Sequence, residues 1–341
     1  MKNKVKICLL LASALVALAL GVGVGSSNIP LGEVLGVLGH KVLGIPLPEG
    51  TRDITVSILW TIRFPRAVMA FLIGASLSVS GTVMQSVLRN PLASSYTLGV
   101  SSGASLMAAL VIVAGFQLPL LGVYTLPLFG FLGGLGTVFL AMMLSLKFDK
   151  TLENHTIILV GMVLSLFVNA LLTLITALSS ERLSQLIFWQ MGSFSGETWQ
   201  NAGLVVAVLL ACLVILQSYT QEMDIMTFGS EQALSAGVEL RQVKIVLIAL
   251  SALMTGVAVA FTGVIGFVDL IAPHIVRRLM GSNHRWVVPG AALFGGIFLV
   301  LADLVSRTLM APQELPVGAV TALIGAPFFA YMYFRRKGGR L

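Results

Sequence analysis

The chain has 341 residues, 57% of them hydrophobic and only 10% charged, with a formal net charge of +7. Soluble domains carry roughly a quarter charged residues, so this composition excludes a soluble enzyme and indicates a polytopic membrane protein. The apolar runs are long and do not alternate with polar residues, which predicts helices and not a barrel. The basic residues sit at the ends of apolar runs, so the positive charge reads as an orientation signal and not as a nucleic-acid surface. The 35 glycines fit close helix packing in lipid. Cys8 and Cys212 both fall in predicted spans, which argues against a disulfide framework or a metal site.

Lys2, Lys4 and Lys6 precede an apolar run from Ile7 to Val24. Secretory signals share this pattern, but the length of the run and the apolar segments beyond it predict a retained first span over about 7–25. A mixed stretch over 26–61 reads as an extracytoplasmic, partly amphipathic connection. The second span is expected over about 67–87. Arg89-Asn90-Pro91 ends it, since proline disfavours helix in the residue before it. No residue from Pro91 to Leu146 is charged. That is too long for one crossing at about 20 residues each. Pro119, Gly122 and Pro127 predict a turn between spans at about 96–115 and 125–146. A charged loop from Lys147 to Glu153 leads to a fifth span at about 155–178. Trp189 and Trp199 flank a polar stretch before the sixth, at about 198–217. After a polar loop at about 218–244, four more are expected at about 245–262, 264–279, 287–307 and 315–334. In the eighth, Gly263 and Gly266 permit a tight reversal, and Pro273, His274, Arg277 and Arg278 crowd the end; a short re-entrant helix is the alternative.

Ten spans in one transmembrane domain over 1–341 put both termini on one side. Fifteen of the 21 basic residues fall on that side; Lys41, Arg52, Arg63, Arg66, Arg182 and Arg307 fall opposite. By the positive-inside rule the termini and the 218–244 loop are cytoplasmic.

That loop holds a polar island, Gly229, Ser230, Glu231, Gln232, Ala233, Leu234, Ser235, Ala236, Gly237 and Val238. It is too short to cross a bilayer and reads as a surface docking helix. Opposite, Arg63-Phe64-Pro65-Arg66 opens the second span and Arg307 closes the ninth. They snorkel to the interface, Arg307 partly paired with Asp303 one turn earlier, or they form a basic collar for an acidic partner. Asn90 serves as a turn residue or has a role of its own. Gln85, Asn169, Asp269, His274 and Asp303 are polar positions in or near spans, where they line a pathway or are satisfied locally. No phosphate-cradling Gly-x-x-x-x-Gly-Lys-Ser/Thr occurs. The histidines give no ligand pair at helical spacing. Hydrolysis by this chain, a cofactor and a metal are not expected.

Several motifs in order resemble one family. They are Arg63-Phe64-Pro65-Arg66, Ser80-Gly81 with Gln85, Arg89-Asn90-Pro91-Leu92-Ala93, and Leu98-Gly99-Val100-Ser101-Ser102-Gly103-Ala104. The second half adds Ile265-Gly266-Phe267-Val268, Pro273-His274-Ile275 with Arg277, Asp303 with Arg307, Glu314-Leu315-Pro316-Val317-Gly318 and Gly325-Ala326-Pro327. Together they are similar to the FecCD permeases of ABC importers for iron–siderophores, haem and cobalamin. The resemblance implies an all-α, type II ABC importer permease fold of about ten spans in the inner membrane of a prokaryote. It implies a second permease copy (a homodimer by default), an extracytoplasmic substrate-binding protein, and a cytoplasmic ATPase dimer that binds ATP and Mg. Gly229 to Val238 would dock that ATPase. Arg63, Arg66 and Arg307 would meet glutamates of the binding protein. The path would run between the two copies, lined by the fifth and tenth spans. Asp269 departs from the family's usual glycine. The expected substrate is an iron–siderophore, with haem or cobalamin as alternatives. An ion-coupled secondary transporter using Asp269 or Asp303 is the alternative of another class; the polar island counts against it, since a lone carrier needs no dock.

Overall fold

Helices make up every regular element among the described residues. The computed structural model describes residues 2–25, 29–47, 50–179 and 182–338, with side chains as far as Tyr331. The chain opens with α1 (Lys2–Gly23) and the short amphipathic α2 (Leu31–Leu43), and α3 (Asp53–Ser57) runs on into α4 (Phe64–Val87). Then come α5 (Val100–Ala114), α6 (Thr125–Phe148), α7 (Asn154–Leu178), α8 (Leu183–Met191) and α9 (Trp199–Ser218). The last third holds α10 (Thr220–Met226), α11 (Ser230–Ser235), α12 (Leu240–Thr262), α13 (Val268–Met280), α14 (His284–Thr308) and α15 (Val317–Gly338).

Seven helical stretches among the described residues are long and apolar enough to cross a membrane, and α5 and α15 add shorter apolar helices. With α13 the total reaches the expected ten. At 13 residues, α13 is about 20 Å long, short of the hydrocarbon thickness of about 30 Å. It starts inside the protein, as the Gly263–Gly266 reversal predicts. Gly263 has φ +72°, Ser193 N donates to Thr262 O at 2.9 Å, and Tyr96 Oη donates to Ile265 O at 2.8 Å.

The second span differs from its expected start at 67. The helix begins at Asp53 and runs to Val87 through a π-helical turn at Ile58–Arg63. Pro65 accounts for the turn. Phe64 N reaches back five residues to Leu59 O, and the next carbonyl, of Trp60, would face Pro65, which has no N–H. Trp199 supplies the missing donor, its Nε1 lying 2.8 Å from Trp60 O. Hydropathy hid this start because Arg63 and Arg66 read as a boundary, whereas both are buried.

The core is built around α4, in which all but Val68 and Phe71 are buried. α14, α12, α13, α9 and α1 pack against it, and α5, α6 and α7 form a second group joined through α12. Where α4 crosses α14, a Cβ on Gly74 would overlap the carbonyl of Gly295, and one on Gly295 the carbonyl of Gly74. Only glycine allows that approach. The outer faces of α1, α6, α7 and α9 expose large apolar side chains such as Leu15, Phe139, Leu166 and Val214. In a bilayer these meet lipid or a second copy.

Contacts fix the ends. Asn3 Nδ2 donates to Met280 O at 3.1 Å and Lys6 Nζ donates to Leu279 O. Next to them His284 meets Asp224 of α10. The start of α1 therefore lies at the same end as α10 and α11. At the other end Arg63 Nη1 donates to Val22 O at 3.1 Å and Gly23 O at 3.0 Å.

Gly74→Leu is expected to lower the stability of detergent-purified protein by about 1–3 kcal/mol through overpacking. Gly136→Leu, where a Cβ meets nothing within 4 Å, is expected to leave it unchanged. Thermal melts of both variants check this.

Candidate functional site

Two polar clusters close the bundle, one at each end. At the end away from α1's start, Arg66 is the hub. Its Nη2 lies 2.8 Å and its Nε 3.0 Å from Asp303 Oδ1, and its Nη1 lies 2.8 Å from Glu314 Oε1. The Asp303 side chain is 2% exposed and that of Glu314 43%. Arg307 Nε stands 3.4 Å from Asp303 Oδ2, and its Nη2 donates to Gly21 O. Arg63 and Arg66 are buried and not exposed, and the expected pairing of Arg307 with Asp303 one turn earlier is present. Arg63, Arg66 and Arg307 turn inward toward carboxylates and helix-end carbonyls, with Arg307 Nε paired to Asp303 by charge but not by a hydrogen bond. Three guanidiniums against two carboxylates still leave one positive charge in excess. Asp303 is thus an ion-pair partner of both Arg66 and Arg307.

Nearby, the loop between α8 and α9 holds Glu197, a group the sequence reading passed over. Burial pushes its carboxyl up to about 7, and a hydrogen bond from Asn201 Nδ2 at 2.9 Å works against that shift.

At the end where α1 starts, α11 (Ser230–Ser235) is a ridge. Gly229 precedes it at φ +135° and Gly237 follows at φ +82°. Gly237 N donates to Leu234 O at 2.9 Å and Val238 N to Ala233 O at 2.9 Å, the paired bonds of a Schellman end. Ala233 and Val238 are buried, while Glu231, Gln232, Leu234, Ser235 and Ala236 face outward. Leu234 is 60% and Phe228 74% exposed. A groove of about 420 Å³ runs along one side, past Ser230, Leu234 and Arg241, and one of about 500 Å³ along the other, past Glu222, Gly237 and Gln242. Exposed apolar side chains beside grooves, at an end turned away from the core, suit a protein partner.

The remaining candidates separate. Asn90 is a turn residue: its Oδ1 accepts from Leu92 N at 2.9 Å, and its N donates to Gln85 O at 3.2 Å. Gln85 braces α4 against α13, donating from Nε2 to Asp269 O at 3.3 Å and accepting from Arg277. Asp269 sits in the first turn of α13, 4% exposed, where a helix N-terminus favours negative charge. Its Oδ2 accepts the Ser94 hydroxyl. Its Oδ1 is buried without a hydrogen-bond partner among the described residues, and Arg277 spends its donors on Gln85, Thr82 and Ser86. His274 is half-buried on α13. Asn169 lies on the exposed face of α7, among Leu166, Phe167 and Leu171. An amide there is costly against lipid.

Two further links lay outside the sequence reading. Lys244, 2% exposed, donates from Nζ to Leu152 O at 2.6 Å and Asn154 Oδ1 at 2.8 Å, pinning α12 to the loop before α7. His284 joins Asp224 and Ser86. Both join residues at least 60 positions apart along the chain, so neither leaves a local pattern.

Residues 10–335 match the profile of the FecCD transport family. The chain is 38% identical over 292 residues to the hemin transport system permease protein HmuU of Yersinia pestis, covering 85% of this chain and 87% of that one. It is 37% identical over 292 residues to the cobalamin import system permease protein BtuC of Halobacterium salinarum, covering 86% and 77%. A solved inward-facing structure, described as an ABC transporter of the metal-chelate type, superposes with a TM-score of 0.83 at 30% identity, covering 96% of this chain and 98% of that one. The all-helical fold is that of these transporters. This multi-pass membrane chain belongs to the FecCD transport family, the permeases of metal-chelate type ABC transporters.

Proposed function

We propose that this chain is the membrane subunit of an ATP-driven, binding-protein-dependent importer of iron–siderophore complexes. It would work in the inner membrane of a prokaryote, with both termini in the cytoplasm. The observation that carries the reading is the α11 ridge, with exposed Phe228 and Leu234 flanked by grooves at the end where α1 starts. A separate ATPase dimer would seat there and bind the ATP and Mg, and this chain would hold no cofactor of its own. Gly229 to Val238 would receive the push of nucleotide binding. A second copy of the chain would complete the path. Asn169 on α7, the fifth of the ten apolar helices, supports this, since an exposed mid-span amide is better placed in a path or interface than in lipid. The binding protein would dock at the opposite end, where Arg63, Arg66 and Arg307 leave their excess charge; they would act there through their field and not as exposed hooks.

The substrate class rests on the family likeness. Siderophores, haem and cobalamin are all bulky metal chelates. Haem import is the second reading, favoured by the identity to a hemin permease.

Gly237→Pro tests the dock. Proline cannot adopt φ +82° and has no N–H for Leu234 O. The variant is expected to insert and fold normally but to lose about tenfold in transport-linked ATP hydrolysis, the scale of a coupling free energy. Normal coupling would contradict the docking role. Glu314→Gln tests the outer end without opening the core. It raises the positive excess, so binding-protein affinity is expected to rise roughly two- to fivefold, more at low salt. An unchanged Kd in titrations would place docking elsewhere.

A further inference from the structure

α11 packs on α10 and α12, and α10 in turn packs on α4 and α14. Two kinds of contact hold α10 to the bundle. Met223 and Met226 are buried apolar side chains, and such contacts are non-directional. Asp224 makes the directional one. Its Oδ1 accepts from His284 N at 2.9 Å and from His284 Nδ1 at 2.5 Å. The imidazole, 1% exposed, presents Nε2 to Ser86 Oγ at 2.5 Å. Arg277 continues the chain: its Nη2 donates to Ser86 Oγ and to Thr82 O, each at 3.2 Å, and its Nη1 donates to Gln85 Oε1. Every link from α10 through α14 and α4 to α13 is direct.

The protons can be assigned. Nδ1 faces a carboxylate and carries the proton, so Nε2 accepts from the Ser86 hydroxyl. Ser86 Oγ also lies 2.9 Å from Thr82 O but has one proton for two acceptors. Arg277 Nη2 supplies the Thr82 carbonyl instead. The network is therefore closed for one geometry, and it links α10 through His284 to Ser86 of α4 and Arg277 of α13.

We infer that Asp224 and His284 are positioning residues that carry the displacement of α11 into α4 and α13. The inference rests on the importer reading, in which α11 receives the ATPase. With the clasp in place, a shift of α10 draws the start of α14 and, through Ser86, the inner end of α4. Without it, α10 slides on the non-directional contacts of its own Met223 and Met226 and the membrane helices stay behind.

The test uses the full complex of permease, ATPase and binding protein in liposomes. The probes are radiolabelled ferric siderophore, hemin and cobalamin. Asp224→Ala leaves no buried cavity, since that side chain is 31% exposed; His284→Gln and the double variant complete the set. Assembly and ATP hydrolysis are expected to match wild type, while uptake per ATP falls about tenfold in either single variant. The double variant is expected to fall no further, because both residues serve one link. A merely structural role would lower assembly, hydrolysis and uptake together, and that result would overturn the inference. So would uptake per ATP unchanged in Asp224→Ala, or losses that multiply in the double variant. Should His284→Gln fail to assemble, Asp224→Ala decides. A transporting wild type with unaffected variants overturns the clasp alone; a wild type without ATP-dependent uptake overturns the importer reading and the clasp with it.

Discussion

A guanidinium buried against two carboxylates sets the outer geometry of this protein. Hydrocarbon offers no hydrogen bonds, so a membrane helix must find partners for its polar groups within the protein. Arg66 finds them in Asp303 and Glu314, which fixes the start of α4 against the end of α14. Removing Asp303, the buried one of the two carboxylates, costs about 3–5 kcal/mol. The same pairing lets the helix begin before its arginines. It holds α4 and α14 in register where Gly74 and Gly295 bring their backbones together.

α4 then reads as a rod with a polar joint at each end. Its outer joint is the Arg66 cluster and its inner joint is Ser86, between His284 and Arg277. Between the joints it is almost wholly buried and meets α14 and α13 at glycines. Close-packed contacts of that kind transmit displacement and absorb little of it. The proposed importer needs such a member, because its ATPase and binding protein would meet it on opposite sides of the membrane. The polar joints sit where those partners are proposed to act.

The apolar runs made most of the fold legible. The ends of α6, α7, α9 and α12 fall within a few residues of the hydropathy boundaries, because lipid-facing side chains carry that signal. Where burial in protein replaced burial in lipid, the signal failed. Arg63 and Arg66 read as the edge of a span but lie within a helix that starts at Asp53. α13 begins four residues later than expected and is too short to cross, since its first turn is organised by Ser94, Tyr96 and the Gly263 reversal. The short helix α11 was legible from its glycines and polarity. Arg66 was legible as important but not as buried, because Asp303 and Glu314 lie more than two hundred residues away, whereas the pairing of Arg307 with Asp303 was legible from their helical spacing. Asp224 and His284 gave no local signal: an aspartate in a polar loop and a histidine before an apolar run are ordinary. The substrate is not written in the fold, which hemin and cobalamin permeases share by sequence likeness.

The most direct measurement is uptake into liposomes that contain this chain and its ATPase, with a binding protein loaded with ferric siderophore outside. The account predicts uptake that requires both internal ATP and the binding protein. Uptake by this chain alone, driven by a proton or sodium gradient, would contradict it.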